Sequence, residues 1–518
     1  MDGARLVWAL LILLAYGLLC LWSYRHLLRE RLRGGDDLTQ PGGPFVLVAY
    51  ASQSGTAADL ARRSAAMLQA YMPVRLMPLN QVDDGVLCGA SQALFVASTY
   101  GEGEPPDNGL AFQRRYLSAA ASLDLSHLEF AVLALGDRTY RHFCEFGRRI
   151  QAGMERLGAS PLGELLEAAS DELWAPEGQV TRWRKLLGDL LPKPVADAFT
   201  GHQHDGGDAS GFSMWCLRSR RHLNPGSLGA PLLDLWLVPE GTLPTWQAGD
   251  IAVIVPRNGR GRCREVCRAL GQDSGTLVKL NGMTRPLGEW LAERQLPGDV
   301  PGVAASELAA WVGSLALLPE REYSIASVPE EGAVRLLIRQ QRDPEGRLGL
   351  GSGWLTAVAE CGDMMRLRIR DNPAFQVPEQ DRPLILIGNG SGLAGLRAHL
   401  RARELEKAPG RNWLLFGERS RASDSLWNEE LMHWLDTGHL DRLDRVFSRD
   451  GDPLRYVQDA LRAATETLCH WIDDGAIICV CGSQEGMGAG VQAALEECLG
   501  NERLDELKIA GRYRRDLY

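Results

Sequence analysis

The segment Phe45-Val-Leu-Val-Ala-Tyr-Ala-Ser-Gln-Ser-Gly-Thr56 decides the fold of the first half of the chain. Residues 45–50 form a short apolar run that predicts a buried strand, and a helix is predicted from about Ala57. The loop between them brings small hydroxyl side chains and free backbone N–H groups to a helix N-terminus, an arrangement that binds phosphate groups. Because the loop contains neither lysine nor a Gly-Lys-Ser/Thr sequence, we expect it to bind a monophosphate and not a nucleoside triphosphate.

Two further predicted strands, residues 94–98 and 130–135, end in loops that complete this site. The loops read Thr99-Tyr100-Gly-Glu-Gly103 and Gly136-Asp137-Arg-Thr-Tyr140. Short strands that alternate with helices predict a doubly wound parallel sheet, and such sheets bind ligands at the carboxyl ends of their strands. Tyr100 and Tyr140 would then enclose a flat ring system such as isoalloxazine, although either tyrosine alone could be an ordinary loop aromatic.

Residues 44–190 resemble the flavodoxin-type FMN domain of NADPH-dependent diflavin reductases. The resemblance rests on the three loops above, on Glu-Pro-Pro-Asp107-Asn108, and on Phe143-Cys144. It also implies that Glu102, Glu104 and Asp107 form an acidic rim that docks basic electron acceptors, the alternative being a solvated charged loop. The FMN-binding residues that the resemblance implies are Ser52, Gln53, Ser54, Gly55, Thr56, Ala57, Ser98, Thr99, Tyr100, Gly101, Gly103, Leu135, Gly136, Asp137, Tyr140, Phe143 and Cys144.

Length and composition limit the classes of protein to consider. A chain of 518 residues predicts three or four domains, and its net charge of -10 argues against a general nucleic-acid binder. The eleven cysteines are scattered, as is typical of reduced thiols. Neither Cys263 and Cys267 nor Cys479 and Cys481 have the spacing of a zinc site, so no metal is expected.

The N-terminus has the pattern of a membrane anchor. Residues 6–24 form an unbroken run of apolar, aromatic or small residues, and arginines follow it at positions 25, 29, 31 and 33. Because the basic cluster follows the apolar run, we expect a single-pass signal anchor (residues 1–35) in the inner (cytoplasmic) membrane, with the later domains in the cytoplasm. The alternative is a buried helix of a soluble domain.

The middle of the chain predicts an antiparallel barrel after a flexible linker. The linker, residues 191–211, is rich in Gly, Asp and His, and the barrel is predicted over residues 212–375. Arg321-Glu-Tyr323-Ser324 and Gly349-Leu-Gly-Ser352 match the family's Arg-x-Tyr-Ser and pyrophosphate-binding segments. The FAD-binding residues that the resemblance implies are Arg321, Tyr323, Ser324, Gly349, Leu350, Gly351, Ser352 and Tyr518.

The segment that connects the two halves of the predicted barrel is short. About 65 residues separate Val255 from Arg321, where related proteins insert a helical connecting domain. The resemblance implies that this domain orients the FMN domain, so the shortened connector puts the geometry of electron transfer and the choice of acceptor in question.

Residues 380–518 predict a second dinucleotide-binding sheet. Its first strand runs into Gly388-Asn-Gly-Ser-Gly392, where glycines permit close approach of a pyrophosphate. Cations near the next strand ends favour NADPH over NADH by binding the 2'-phosphate, the alternative being surface ion pairs. Related proteins carry prolines where Asn389 and Gly395 stand, and a lysine where Leu454 stands. The predicted NADPH-binding residues are Gly390, Ser391, Gly392, Ser448, Arg449, Arg455, Tyr456, Gln458 and Cys481.

The end of the sequence, Tyr513-Arg-Arg-Asp516-Leu-Tyr518, completes the predicted redox site. An aromatic face at Tyr518 can stack on a flavin ring, the alternative being a frayed tail. The resemblance implies that Ser324, Cys481 and Asp516 assist hydride transfer while Tyr518 covers the flavin. Taken alone, Cys481 could be a small buried apolar residue.

The motifs together predict an α/β multidomain oxidoreductase. Its parts are a transmembrane helix, a flavodoxin-like doubly wound domain, an antiparallel β-barrel FAD domain and a ferredoxin-reductase-type NADP-binding domain. The resemblance implies electron transfer from NADPH through FAD and FMN to a haem- or iron-containing protein, as in an NADPH-haemoprotein reductase. The alternatives are a sulfite reductase flavoprotein subunit, a membrane-associated ferric-complex reductase and a flavin-binding module without turnover.

Overall fold

A parallel sheet with helices on both faces follows the segment that begins at Phe45. The structure is a computed structural model that describes residues 43–53, 55–101, 103–138, 141–169, 178–191, 211–280 and 282–518. The strands of this sheet are β1 (Phe45–Ala51), β2 (Val74–Pro78), β3 (Ala90–Ser98), β4 (Glu129–Gly136), β5 (Ser160–Pro161) and β6 (Leu166–Ala169). Their order is β2-β1-β3-β4-β5, with β6 also beside β4 and all pairs parallel.

Alternate side chains of these strands face two apolar layers. Phe95 and Phe130 face one layer, and Val96 and Leu133 face the other. This burial of both faces confirms the predicted doubly wound sheet. The helices are α1 (Thr56–Gln69), α2 (Asp84–Gly89), α3 (Leu110–Phe112), α4 (Glu145–Arg156) and α5 (Gln179–Asp189).

The second sheet is antiparallel. Its region contains β7 (Ser213–His222), β8 (Leu232–Pro239), β9 (Ile251–Ile254), β10 (Leu277–Leu280), β11 (Met283–Pro286), β12 (Arg321–Ser324), β13 (Val334–Arg339) and β14 (Met364–Arg370). The order is β12-β9-β14-β7-β8-β13, with β10 and β11 forming a separate hairpin. An isolated bridge between Ile325 and Leu336 brings the two edges together, which agrees with the predicted barrel.

The shortened connector between β9 and β12 has its own small core. It contains α6 (Arg260–Ala269), the β10–β11 hairpin, α7 (Leu287–Ala292) and α8 (Leu308–Ser314). Val266, Leu291 and Val312 are fully buried in it. Cys263 is also buried there, and that burial raises the pKa of its thiol to about 11. The connector is therefore reduced in size but still folded.

A third sheet lies at the C-terminal end. Its strands are β15 (Leu384–Asn389), β16 (Asn412–Glu418), β17 (Arg442–Phe447), β18 (Ile477–Gly482) and β19 (Tyr513–Leu517), parallel in the order β17-β16-β15-β18-β19. Helix α9 (Leu350–Gly353) lies between β13 and β14 of the barrel. The helices that accompany the third sheet are α10 (Leu393–Glu406), α11 (Asn428–Asp436), α12 (Val457–Ala463), α13 (Thr465–Asp473), α14 (Ala489–Leu499) and α15 (Asn501–Ile509). The sequence did not predict β19, which pairs with β18.

The chain divides into two compact units. Among the described residues the first comprises 43–51, 57–105 and 111–191. The second comprises the barrel and the C-terminal sheet, residues 211–518, together with the short segments 52–56 and 106–110.

The predicted location in the cytoplasmic membrane requires correction. In the part of the chain that the structure describes, no helix is long and apolar enough to cross a bilayer. The helices α1 and α10 have 14 residues each, and 14 residues span only about 21 Å of a hydrocarbon core about 30 Å thick. The predicted anchor, residues 1–35, lies outside the described residues, as does most of the predicted linker. The membrane location is not retained.

Candidate active site

The loop after β1 has the features of a phosphate site. Ser52 is buried, and its hydroxyl has no hydrogen-bond partner among the described residues. Its backbone N–H donates to Asn108 Oδ1 (3.0 Å), while Gln53 Nε2 donates to Asp107 Oδ2 (2.9 Å). Gly55 has φ +90°, and α1 begins directly afterwards. A buried unpartnered hydroxyl beside a helix N-terminus fits the phosphate of FMN.

The same contacts revise the predicted acidic rim. The carboxylate of Asp107 accepts a hydrogen bond from Gln53, and the Asp107 N–H donates to Gln53 Oε1 (3.0 Å). Asp107 therefore organises the phosphate loop and is not a free docking charge. Glu102 lies outside the described residues, so of the predicted rim only Glu104 remains exposed in the described chain.

The loops after β3 and β4 are hydrogen-bonded to each other. The Thr99 N–H donates to Leu135 O (2.8 Å), and the Thr99 hydroxyl accepts from the Phe146 N–H (3.1 Å). A Cβ at Gly136 would lie 2.7 Å from the Cys144 nitrogen and 2.9 Å from Phe143. Glycine is therefore required where this loop closes. The predicted residues Ser54 and Tyr140 lie outside the described residues.

Two glycines of the β3 loop give a matched test of the predicted FMN site. Gly103 has φ +107°, and a Cβ there would lie 3.0 Å from His142; Gly101 has φ +48° and open space around it. We expect Gly103→Ala to weaken FMN binding about 5- to 150-fold, because such strain costs about 1–3 kcal/mol. Gly101→Ala should cost less, since φ near +50° is the accessible left-handed region. FMN titration followed by fluorescence measures both; equal losses would contradict the strain argument.

The two predicted FAD segments are in contact. A Cβ at Gly351 would lie 2.5 Å from Arg321 Cγ and 2.6 Å from the Tyr323 hydroxyl, so only glycine fits there. The Gln341 N–H donates to Ser352 Oγ (3.1 Å), which holds the second segment beside the barrel. The Arg321 guanidinium contacts only backbone carbonyls among the described residues. It therefore keeps donors for a pyrophosphate, and the pair of segments fits FAD.

Ser324, Cys481 and Asp516 converge, as predicted. The Ser324 hydroxyl donates to Asp516 Oδ2 (2.6 Å), and Cys481 Sγ lies 3.7 Å from the same oxygen. β18 and β19 pair in register, so Cys481 lies directly opposite Asp516. A hydroxyl, a thiol and a carboxylate thus meet at the carboxyl end of a parallel sheet, where dinucleotides bind.

Burial dominates the electrostatics of this cluster. Burial raises the pKa of Asp516 above its ordinary value of 3.8, although the Ser324 hydrogen bond and Arg370 act against it. The pKa of Cys481 is raised well above 9.0 by burial and by the Asp516 carboxylate. Cys481 is therefore a neutral thiol that can donate to Asp516, and not a thiolate.

The glycine loop after β15 closely approaches Cys481. A Cβ at Gly392 would lie 2.1 Å from the Cys481 carbonyl oxygen, and one at Gly388 would lie 2.4 Å from it. Asn389 adds a contact that the sequence did not predict: its side chain accepts from the Ser483 N–H and donates to Ser483 Oγ, both at 3.1 Å. This carboxamide extends the β15–β18 pairing past the sheet. The geometry fits the close approach of a dinucleotide backbone.

Tyr518 is fixed at both its backbone and its ring. Its N–H donates to Gly482 O and its carbonyl accepts from the Gln484 N–H, both at 3.1 Å. Its hydroxyl lies 3.0 Å from Ser391 Oγ. The predicted lid residue therefore has defined contacts, which argues against a frayed end.

The predicted 2'-phosphate residues lie after β17. Arg449 has no ion pair among the described residues, and Arg455 Nη2 donates to the Ser448 carbonyl (3.2 Å). Tyr456 is half exposed, as a stacking ring requires. Gln458 instead packs against α14, since a Cβ at Gly490 would lie 2.7 Å from its Nε2.

Comparisons with known proteins agree with these sites. The Flavodoxin family model matches residues 48–183, and the Oxidoreductase NAD-binding domain model matches residues 386–493. The chain is similar to proteins named sulfite reductase [NADPH] flavoprotein alpha-component. That of Neisseria meningitidis is 30% identical, covering 92% of this chain and 90% of the relative. Those of Vibrio cholerae and Bacillus subtilis are each 27% identical, covering 94% and 91% of this chain and 89% of each relative.

These similarities extend over nearly the whole chain and include both the flavodoxin-like sheet and the NADP-binding sheet. One family of proteins thus contains all three features described above: the phosphate loop, the paired FAD segments and the glycine loop beside Cys481. The chain therefore belongs to the NADPH-dependent diflavin reductase family and is an oxidoreductase that uses FMN, FAD and NADPH.

Proposed function

We propose that this chain passes electrons from NADPH to a haem- or iron-containing protein. The observation that carries the proposal is the contact of Ser324 and Cys481 with the buried Asp516 carboxylate. A carboxylate at this place would stabilise the positive charge that develops on nicotinamide as hydride leaves. Bound FAD would supply the hydride acceptor.

The chain's own residues would bind and align the reactants. Arg321 would hold the FAD pyrophosphate through its fork of donors, and Gly351 lets the second FAD segment pack directly against Arg321 and Tyr323. Ser324 would fix the orientation of Asp516 through its 2.6 Å hydrogen bond. Tyr518 would cover the site until nicotinamide enters.

A sulfite reductase role is the second candidate. Relatives that cover most of this chain carry the name sulfite reductase [NADPH] flavoprotein alpha-component, which supports a separate component as acceptor. The shortened connector, about 65 residues between β9 and β12, favours a different acceptor.

Anaerobic reduction tests the proposal. The chain, loaded with FMN and FAD, should lose its flavin absorbance on addition of NADPH and regain it when cytochrome c is added. Sulfide production with a haem-containing sulfite reductase component would favour the second candidate. If NADPH leaves both bound flavins oxidised, the reductase proposal is wrong and a flavin-binding module without turnover takes its place.

Arg449 provides a test of nucleotide choice. We expect Arg449→Ala to raise the KM for NADPH about 10- to 150-fold, because hydrogen bonds to charged groups contribute about 1.5–3 kcal/mol. The KM for NADH, which lacks the 2'-phosphate, should change little. Arg462→Ala is the matched control, since Arg462 pairs with Glu497 away from this site. Equal changes for both nucleotides would refute the assignment.

A further inference from the structure

We propose that Arg370 completes the FMN site by donating hydrogen bonds to the phosphate group of the cofactor. This arginine is the last residue of β14, in the barrel, and is not among the residues that the family resemblance implies for FMN. Its role would be to bind and orient FMN, whichever protein accepts the electrons.

Arg370 is buried and uses little of its hydrogen-bonding capacity. The residue is 3% exposed. Its Nη2 donates to Glu322 Oε2 (2.6 Å), whereas Nε and Nη1 have no hydrogen-bond partner among the described residues. Buried donors of a charged group are costly when they lack an acceptor, so an acceptor that reached them would be bound favourably.

The unpartnered side of the guanidinium faces the phosphate loop. A Cβ at Gly55 would lie 1.8 Å from Arg370 Nη1 and 3.0 Å from Cζ. Gly55 lies directly before α1, in the segment 52–56, which belongs to the same compact unit as the barrel. The guanidinium therefore fills the space that a side chain at position 55 would occupy.

Three kinds of donor thus meet at this loop. The buried Ser52 hydroxyl has no partner among the described residues, and the first N–H groups of α1 point out of the helix. The segment 51–56 itself contains no lysine or arginine, so Arg370 adds the positive charge that the loop lacks. A monophosphate carries about 1.5–2 negative charges at neutral pH, and the arginine fork matches its oxygens.

The ion pair with Glu322 does not by itself account for the burial of this guanidinium. The Glu322 side chain is 39% exposed, so water competes for its carboxylate. Only one nitrogen of Arg370 is hydrogen-bonded to it. A phosphate at the loop would supply acceptors for the remaining donors.

Flavin titration of the full chain, with FAD bound and FMN removed, tests this assignment. We expect Arg370→Met to weaken FMN binding about 10- to 150-fold, because hydrogen bonds between charged groups are strong. Riboflavin, which has the same ring system but no phosphate, should bind with unchanged affinity. Flavin fluorescence measures both affinities, and retention of FAD shows that the barrel remains folded.

Arg368→Met is the matched control. Arg368 lies two residues earlier on β14 and pairs with Glu320 at 3.2 Å. Its removal should leave the ratio of the FMN and riboflavin affinities unchanged. Arg370→Lys keeps the charge but not the planar fork, so it should recover only part of the loss.

Glu322→Gln tests the same site with Arg370 in place. It removes the carboxylate charge that competes with the phosphate, so FMN should bind about 2- to 5-fold more tightly while riboflavin binding does not change. An unchanged FMN affinity in either Arg370→Met or Glu322→Gln would overturn the assignment. Equal losses of FMN and riboflavin affinity in Arg370→Met would also overturn it, because they would show a structural role. None of these results depends on reduction by NADPH, whose failure would refute only the proposed function.

Discussion

Asp516→Asn is expected to slow flavin reduction by NADPH about 100-fold or more, while FAD remains bound. The substitution keeps the size of the side chain and an oxygen for the Ser324 hydroxyl, which is 2.6 Å from the carboxylate. It removes the negative charge that would stabilise positive charge on nicotinamide, and loss of one such group typically costs about 10²–10³ in rate. Stopped-flow absorbance measures the rate under anaerobic conditions.

Asp474→Asn is the matched control. Asp474 is a partly exposed carboxylate of the same unit, paired with Arg411 at 2.5 Å, and exposed pairs contribute little. Its removal should leave the reduction rate unchanged. If Asp516→Asn reduces at the rate of the unmodified protein, the carboxylate has no part in the reaction.

The pH dependence gives an independent check on Asp516. Burial raises the pKa of this carboxyl above its ordinary value of 3.8, and the ionised form is the one that the reaction needs. The rate should therefore fall as the pH is lowered through the raised pKa, and this fall should be absent in Asp516→Asn.

The same shift predicts the effect on stability. Folding raises the pKa of this carboxyl, so its protonated form stabilises the folded state. This stabilisation is complete at pH values below the pKa that the carboxyl has in the unfolded chain. It is lost as the pH rises through the pKa that the carboxyl has in the folded protein. At neutral pH the buried charge of Asp516 therefore opposes folding. We expect Asp516→Asn to unfold at the same or a higher temperature than the unmodified protein, although it is the less active enzyme.

Local sequence patterns predicted the first sheet because each motif there is contiguous. The apolar run 45–50, the loop and the following helix carry both the fold and the phosphate site. The strands β1, β3 and β4 follow the predicted positions within a few residues. Ser324, Cys481 and Asp516 required the family resemblance, since no local pattern connects residues 192 positions apart.

Three features lacked a local signal. Strand β19 is short and carries Arg514, Arg515 and Asp516, so it has no apolar alternation; its pairing with β18 decides its conformation. The hydrogen bonds between the Asn389 side chain and Ser483 depend on a contact between two loops. Asp107 was predicted as a docking charge because its partner Gln53, 54 positions away, cannot be read from its own segment.

A buried arginine in the second unit also escaped the sequence analysis. Arg397 lies on α10 and donates to Glu331 Oε1 (2.8 Å), to Glu430 Oε1 (2.6 Å) and to the Ala326 carbonyl (2.6 Å). Its side chain is 3% exposed. One cation thus joins the barrel to the C-terminal sheet through two carboxylates. In the sequence it resembles any other arginine of a helix.

Arg397→Met is expected to lower the free energy of unfolding of this unit by about 3–5 kcal/mol, because removing one partner of a buried ion pair leaves uncompensated charge. Arg397→Lys should recover only part of the loss, since an ammonium cannot bind Glu331 and Glu430 with a planar fork. Urea unfolding, followed by circular dichroism and by release of FAD, measures these differences.

A neighbouring arginine and the pH supply the controls. Arg401→Met should cost less than about 1 kcal/mol, because Arg401 is 30% exposed and lies 3.8 Å from Glu331.

Burial alone would raise the pKa of Glu331, but the hydrogen bonds from Arg397 hold it below its ordinary value of 4.5. The stabilisation by the Arg397–Glu331 pair is therefore complete at pH values above the pKa that Glu331 has in the unfolded chain. It is lost as the pH falls through the lower pKa that Glu331 has in the folded protein. The difference between Arg397→Met and the unmodified protein should shrink in acid; a difference that stays constant would show that packing, and not charge, holds Arg397 in place.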